Sequence, residues 1–244
     1  MQVDAQGLTF RELNKEVGRL AREGVREIKL VNVNGHRYIG AGLEKNNLLI
    51  EVHSTPGNDL GTFMNGPTII VHGNAEDGVG NTMNSGRIVV YGDARDIVGY
   101  SMRGGEIFIK GNVGYRVGIH MKAYGDHVPT IVVGGSAGDF LGEYMAGGII
   151  AVLNLQNRSQ PIGSFAATGI HGGAIFVRGE VEKERLGIGA EISHPNQNDL
   201  AKLRRVLAEY CSHFDLSLEK VAGSKFTKIH CKSHRPFGKL YILE

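Results

Sequence analysis

The sequence predicts an all-β protein with small helical appendages, built as a single-stranded right-handed β-helix of about six to seven coils. Three observations predict it. First, Gly61-Thr62-Phe63-Met64 is answered by Gly80-Asn81-Thr82-Met83, Gly99-Tyr100-Ser101-Met102, Gly118-Ile119-His120-Met121 and Gly142-Glu143-Tyr144-Met145. The first four glycines are spaced by 19 residues, and the fifth follows after 24, leaving room for a five-residue insertion. Second, a short strand follows each Gly-x-x-Met, as in Thr-Ile-Ile-Val-His-Gly73, Arg-Ile-Val-Val-Tyr-Gly92 and Glu-Ile-Phe-Ile-Lys-Gly111. Third, glycine is the compositional outlier at 36 of 244 residues, with no tryptophan. It recurs at fixed places, which marks tight turns between short strands.

A unit of 19 residues is too short for a four-stranded propeller blade, and it lacks a leucine-rich signature. It fits one coil whose strands lie beside those of the next, about 4.8 Å away. The array then makes a rod roughly 30 Å long. Parallel crossovers favour the right-handed form.

Residues 1–38 form the first unit. Thr9-x-x-Glu12 is a capping box, and Leu13, Val17 and Leu20 give a helical stripe that ends near Gly24. Glu27 to Val33 reads as a strand with Ile28, Leu30 and Asn32 on one side. The helix covers an end of the array, since a terminal coil otherwise exposes its apolar face and strand edge.

Residues 39–179 are the repeat domain. Counting from the glycine that ends each strand, the sixth position is apolar: Val79, Val98, Val117 and Leu141, with Leu60 and Ile162 as the outer members. The methionines pack the interior as flexible filler. A sixth, looser copy without methionine ends at Gly179. Along the strands, Ile88 and Val90 alternate with Arg87, Val89 and Tyr91, giving one inward and one outward face.

Residues 180–244 leave the repeat. A helix starts at Asn198 or Asp199, with Leu200, Leu203, Val206, Leu207 and Tyr210 on its apolar side. Residues 216–222 suggest a second short helix, Lys225 to Cys231 a strand, and Pro236 to Leu243 an extended tail. This appendage is expected to lie along one side of the rod.

Composition excludes several classes. A net charge of +2, spread along the chain, gives neither a nucleic-acid groove nor a membrane-binding face. No signal peptide or spanning segment is visible, so the expected location is the cytoplasm. Two cysteines, Cys211 and Cys231, are too few for a disulfide scaffold.

Asn81-Thr82-Met83-Asn84, Gly111 to Met121, and Gly142-Glu143-Tyr144-Met145-Ala146-Gly147-Gly148 carry a resemblance. So do Gln2-Val3-Asp4-Ala5, Gly57-Asn58-Asp59-Leu60 and Arg185-Leu186-Gly187-Ile188-Gly189. Together they resemble the C-terminal β-helix, or GXGXG-repeat, domain of the glutamate synthase large subunit. The resemblance covers nearly all of the chain. A more distant relative is the C subunit of formylmethanofuran dehydrogenase. In the large subunit this domain follows a glutaminase domain and an FMN-binding barrel. These 244 residues hold no N-terminal cysteine nucleophile, no barrel and no cysteine run for an iron–sulfur cluster. The resemblance therefore implies a non-catalytic subunit of a split glutamate synthase oligomer, acting in glutamate biosynthesis and nitrogen metabolism. It would sit with glutaminase and synthase chains that carry FMN and the iron–sulfur clusters. Two alternatives stand: a subunit of a formylmethanofuran dehydrogenase-like complex, or a stand-alone carbohydrate-active β-helix enzyme.

The candidate sites are weighed against plain structural roles. Gly78-Val79-Gly80 and Gly187-Ile188-Gly189 look like pieces of a dinucleotide fingerprint, but strands follow them rather than helices, so they turn corners. Asp77, Asp96 and Asp139 recur at one place, interrupted by Tyr115. They could line up as a cation column, though closing their own turns is the simpler role. His120, Arg116, Tyr115, Glu143 and Tyr144 gather where the repeat is least regular, beside the inserted Tyr124-Gly125-Asp126-His127. A functional surface belongs where a repeat breaks its rule. A His–Glu acid–base pair is conceivable there; the expectation is a partner-docking surface of Tyr115, Arg116, His120, His127, Glu143 and Tyr144. Cys211, His213, His230, Cys231 and His234 offer zinc-ligand types, but Cys211 and His213 do not share a helical face. No catalytic, cofactor or metal residue is assigned.

Overall fold

Seven in-register turns of backbone are closed at their corners by left-handed residues. The computed structural model describes residues 1–233. His234 and the stretch from Pro236 to Leu243 lie outside the described residues. In chain order the elements are β1 (Gln2–Asp4), α1 (Phe10–Arg22), β2 (Glu27–Asn34), β3 (Leu49–Thr55), β4 (Asn65–Val71), β5 (Ser85–Val90) and β6 (Glu106–Ile109). Then come β7 (Thr130–Val133), β8 (Ala146–Val152), β9 (Gly172–Arg178), β10 (Ala190–Ser193), α2 (Gln197–Phe214), α3 (Leu218–Ala222) and β11 (Phe226–Cys231). All strands join one 11-stranded sheet in the order β1 to β9, then β11 and β10. Pairing is parallel from β1 to β9, and β11 pairs antiparallel with both β9 and β10. The result is an all-β solenoid of about seven turns with a few small helices.

The 19-residue spacing fixes the register. Ile50, Ile69, Ile88, Ile107, Ile131, Ile150 and Ile175 stand one above another. Val52, Val71, Val90, Ile109, Val133, Val152 and Val177 form a second column. Both columns, with Met64, Met83, Met102, Met121 and Met145, are fully buried in the solenoid interior. Each such side chain contributes about 1.5–3 kcal/mol through burial.

The corners carry a pattern finer than Gly-x-x-Met. Three alternate residues per turn take left-handed backbone: Tyr38, Gly40 and Gly42; Asp59, Gly61 and Phe63; Gly78, Gly80 and Thr82. The set continues as Ile97, Gly99 and Ser101; Arg116, Gly118 and His120; Phe140, Gly142 and Tyr144; Phe165, Ala167 and Gly169. The middle residue is glycine in six of these seven turns because a Cβ there would collide with the stacked isoleucines. At Gly118 the obstacle is Ile150 Cδ1. Ala167 is admitted in the last turn, where the strand beyond β9 is the antiparallel β11.

This alignment corrects the last copy. Ile162 does not continue the Val79–Leu141 column; it bridges Ala137, as Ala75 bridges Ala94. Ala166 and Ala167 take the Leu141 and Gly142 places, since Ala167 N–H donates to Leu141 O as Gly142 N–H donates to Val117 O. Ile170 replaces the methionine, its N–H bonding Ala167 O as Met145 N–H bonds Gly142 O. Alanine in a left-handed position takes the place of the corner glycine in this last turn.

The N-terminal segment joins the same sheet. Thr9 caps α1 with the expected box, its hydroxyl accepting Glu12 N–H while the Glu12 carboxylate accepts Thr9 N–H. Leu13, Val17 and Leu20 reach the solenoid interior. In β2 Ile28 and Leu30 face inward, but Asn32 does not. Asn32 is left-handed, at φ 57°, where the register slips between Leu30 and Val33, and its amide donates to Asp4 Oδ1. Val33 turns inward instead.

The C-terminal appendage covers the outer face. α2 begins earlier than expected, capped by Asn196 and Asp199 in a reciprocal box. Leu203, Val206, Leu207, Tyr210, Cys211 and Phe214 pack on the outward column Val89, Phe108, Val132, Ala151 and Phe176. Leu200 is exposed, one turn before that contact begins. α3 and β11 fall within the spans expected for them, and the Lys228 ammonium on β11 meets the Asp199 carboxylate at 2.8 Å. Among the described residues no helix is long and apolar enough to cross a membrane.

Candidate functional site: an aromatic and arginine face

The outer two left-handed positions of each turn point away from the interior, so they accept any side chain that tolerates the backbone. Three successive turns fill them with rings and an arginine. In the turn between β6 and β7 these are Arg116 and His120; in the next they are Phe140 and Tyr144; then comes Phe165. Stacking of turns puts like positions side by side. The His120 ring stacks on Tyr144 at 5.3 Å and 13°, and meets Tyr100 edge-on at 6.1 Å. The Arg116 guanidinium lies over the Phe140 ring at 4.6 Å, and Phe140 stacks on Phe165 at 5.2 Å. Such contacts contribute about 0.5–1.5 kcal/mol each.

Glu143 anchors the face from beneath. Its carboxylate is nearly buried and accepts from Arg116 Nε at 3.0 Å. Its backbone carbonyl accepts His120 N–H, and Arg103 donates to the His120 carbonyl, both at 3.0 Å. The carboxylate is thus committed to Arg116 and the imidazole to aromatic stacking. The structure makes no His120–Glu143 acid–base pair.

The six residues singled out from the sequence divide. Arg116, His120, Glu143 and Tyr144 form one contact network. Tyr115, half exposed, lies across Gly138 of the following turn. His127 is set apart: it closes the inserted hairpin with Tyr124 through paired backbone bonds of 3.0 and 3.1 Å, and its Cβ lies near Gly104. Among the described residues no hydrogen bond or ring contact ties His127 to the network. Tyr100, Phe140 and Phe165 belong to the face and were missed. Their signal was positional, since each falls at a corner position of the 19-residue unit.

The aspartate column is structural, in a way that differs from a self-closed turn. Asp77 Oδ1 accepts Asp96 N–H, Asp96 Oδ1 accepts Tyr115 N–H, and Asp139 Oδ1 accepts Ser164 N–H, at 3.1, 2.9 and 2.7 Å. Each carboxylate closes the next turn. A second ladder runs from Asn74 through Asp93 and Asn112 to Ser136. Gly78 and Gly80 turn a corner, as expected.

The cysteine and histidine set does not converge. Cys211 is buried on the sheet-facing side of α2, whereas Cys231 packs toward the interior. His213 Nε2 takes Arg87 Nη1 at 3.1 Å; burial first, then Arg87, lowers its pKa below the ordinary 6.5. His230 Nδ1 meets the Cys231 carbonyl. Two cysteines in different layers do not supply the ligand set of an iron–sulfur cluster.

Comparison with known proteins agrees with this geometry. A protein of Methanocaldococcus jannaschii, itself uncharacterised, is 52% identical over 248 positions, covering 98% of this chain and 95% of the relative. Residues 27–234 match the GXGXG motif, which spans the repeat array and its appendage. The chain therefore belongs to the GXGXG family, that of the glutamate synthase C-terminal domain.

Proposed function

We propose that this chain is a non-catalytic structural subunit of a split glutamate synthase assembly. It holds the glutaminase chain and the synthase chain in the geometry that passes ammonia between them. The overall reaction turns glutamine and 2-oxoglutarate into two glutamates, using electrons from a reduced carrier. FMN and the iron–sulfur clusters sit on the partner chains, and the assembly works in the cytoplasm.

The observation that carries this reading is the face built by Arg116, His120, Phe140, Tyr144 and Phe165. Phe165 is 54% exposed and Tyr144 44% exposed, yet both are held rigidly by stacking and by a nearly buried carboxylate. Ordered aromatic and arginine side chains are what a protein interface uses as anchors. A solenoid adds a long, stiff side wall on which two partners can be registered. Family membership favours partners of this class.

The test is purification of the native protein at low salt, with identification of what accompanies it. Flavin- and iron–sulfur-containing synthase chains are expected. A molybdenum or tungsten formyl-transfer chain in their place moves the subunit to that kind of complex. Turnover of a carbohydrate by the isolated chain defeats the structural reading.

A further inference from the structure

The 19-residue period also stacks an outward column at the strand ends: His53, His72, Tyr91 and Lys110. Val52 pairs with Val71, so the next residues, His53 on β3 and His72 just past the end of β4, lie side by side. Their rings stack at 4.4 Å, and His72 stacks on Tyr91 at 5.5 Å. The Phe214 edge, at the end of α2, closes the column against Tyr91 at 5.1 Å. Glu51, two residues before His53, projects from the same face of β3 and meets His72 Nε2 at 3.2 Å.

Stacking explains where the rings lie but not how their polar atoms are spent. His53 Nε2 is buried and has no hydrogen-bond partner, alone in this respect among the side-chain atoms of the described residues. An orphaned buried nitrogen costs about 1–3 kcal/mol and calls for an explanation. One ligand atom from each of Glu51, His53 and His72 lies within 4.8 Å of the other two. Among the described residues no other group of this kind occurs.

We propose that Glu51, His53 and His72 bind a divalent transition-metal ion on the outer face of the solenoid. Two imidazoles and a carboxylate suit zinc, cobalt, nickel or copper better than magnesium or calcium. Bonds of about 2.0–2.2 Å place tetrahedral ligand atoms roughly 3.4 Å apart, a small side-chain rotation from the present spacing. Three protein ligands leave a fourth position for water or a group from elsewhere. Lys29, which pairs with Glu51 across β2 and β3, is the competing cation at the site.

Untagged full-length protein, stripped with a chelator, is titrated with zinc by calorimetry and with cobalt by visible absorption. One ion per chain is expected, with a cobalt spectrum of nitrogen and oxygen ligands. His53→Gln and His72→Gln should each weaken binding by more than about tenfold, the loss seen even when only a ligand's partner is removed. Cys231→Ser should bind as the parent does. Metal-free unfolding midpoints of all variants show that the fold persists. Absence of binding, undiminished affinity in both histidine variants, or a thiolate charge-transfer band would each overturn the proposal.

Discussion

At Gly118 two constraints meet in one residue. Its φ of 70° disfavours any side chain, and the space a Cβ needs is held by Ile150 Cδ1. A left-handed L-residue costs about 1–2 kcal/mol, and overpacking of a core typically 1–3 kcal/mol. Gly118→Ala should therefore lose about 2–5 kcal/mol in urea unfolding. Adding Ile150→Val removes the colliding methyl, so the double variant should recover part of the loss; purely additive losses would contradict the steric account. His120→Gly, two residues on, relieves the same backbone strain without touching the interior and should cost far less. Asp96 gives a third test at this scale. Its carboxylate serves Tyr115 N–H at 2.9 Å, so Asp96→Ala should destabilise by about 1–3 kcal/mol by stranding a donor of the next turn. Spacing showed that these residues were alike. It did not show what they met, because the partner of each sits on the following turn, 19 residues on for Asp96 and Tyr115 and 32 residues on for Gly118 and Ile150.

Among the elements, α2 decides how much of the outer face stays dry. Val89, Phe108, Val132 and Phe176 point outward, and without α2 they would face water. The helix is pinned by Tyr210, whose hydroxyl donates to Ile109 O at 3.3 Å, and by the Asp199–Lys228 pair. Burial alone would raise the Asp199 carboxyl, but Lys228 and the Asn196 N–H outweigh it, and its pKa falls below the ordinary 3.8. A depressed carboxylate stabilises the fold above its unfolded pKa and loses that contribution as pH falls through the folded value. Asp199→Asn should thus destabilise at neutral pH, and the gap to the parent should close below about pH 3.8. A gap that stayed constant across the acid range would assign the effect to the cap alone. The helix stripe was legible in the sequence from Leu203 to Tyr210. Leu200 was not, since a helical period says which side is apolar but not where the facing sheet ends. Asn32 failed similarly: strict alternation cannot foresee the slip that its left-handed backbone introduces.

The whole molecule separates the residues that build from those that meet others. Glycine, isoleucine and methionine columns fill the interior, while Arg116, His120, Tyr144 and Phe165 stand outside it. Paired substitution Arg116→Ala with His120→Ala removes the ring contacts of this face and the partner of the Glu143 carboxylate, so it should cost about 1–4 kcal/mol and leave the fold intact. It should nevertheless strip the partner chains from the purified assembly. Unchanged co-purification would remove this face from the account. The repeat disclosed the solenoid and the location of this face, because both follow from where the period holds or breaks. It did not show how the end turns are closed, because Ile39-Gly40 keeps the corner geometry without the methionine and Ala166-Ala167 keeps it without the methionine or the glycine.

The two side-chain ladders also have a direction. Asn74 accepts from Asp93, Asp93 from Asn112, Asp77 from Asp96 and Asp139 from Ser164. In every case an earlier turn holds the acceptor and a later turn brings the N–H. During synthesis at about 5–20 residues per second, a 19-residue coil leaves the ribosome about one to four seconds after its predecessor. Each arriving coil finds these side-chain acceptors already in place, while backbone N–H groups such as those of Gly78 and Ile97 are met by carbonyls of the coil that follows. The molecule is laid down like courses of brick, in the order in which it is translated.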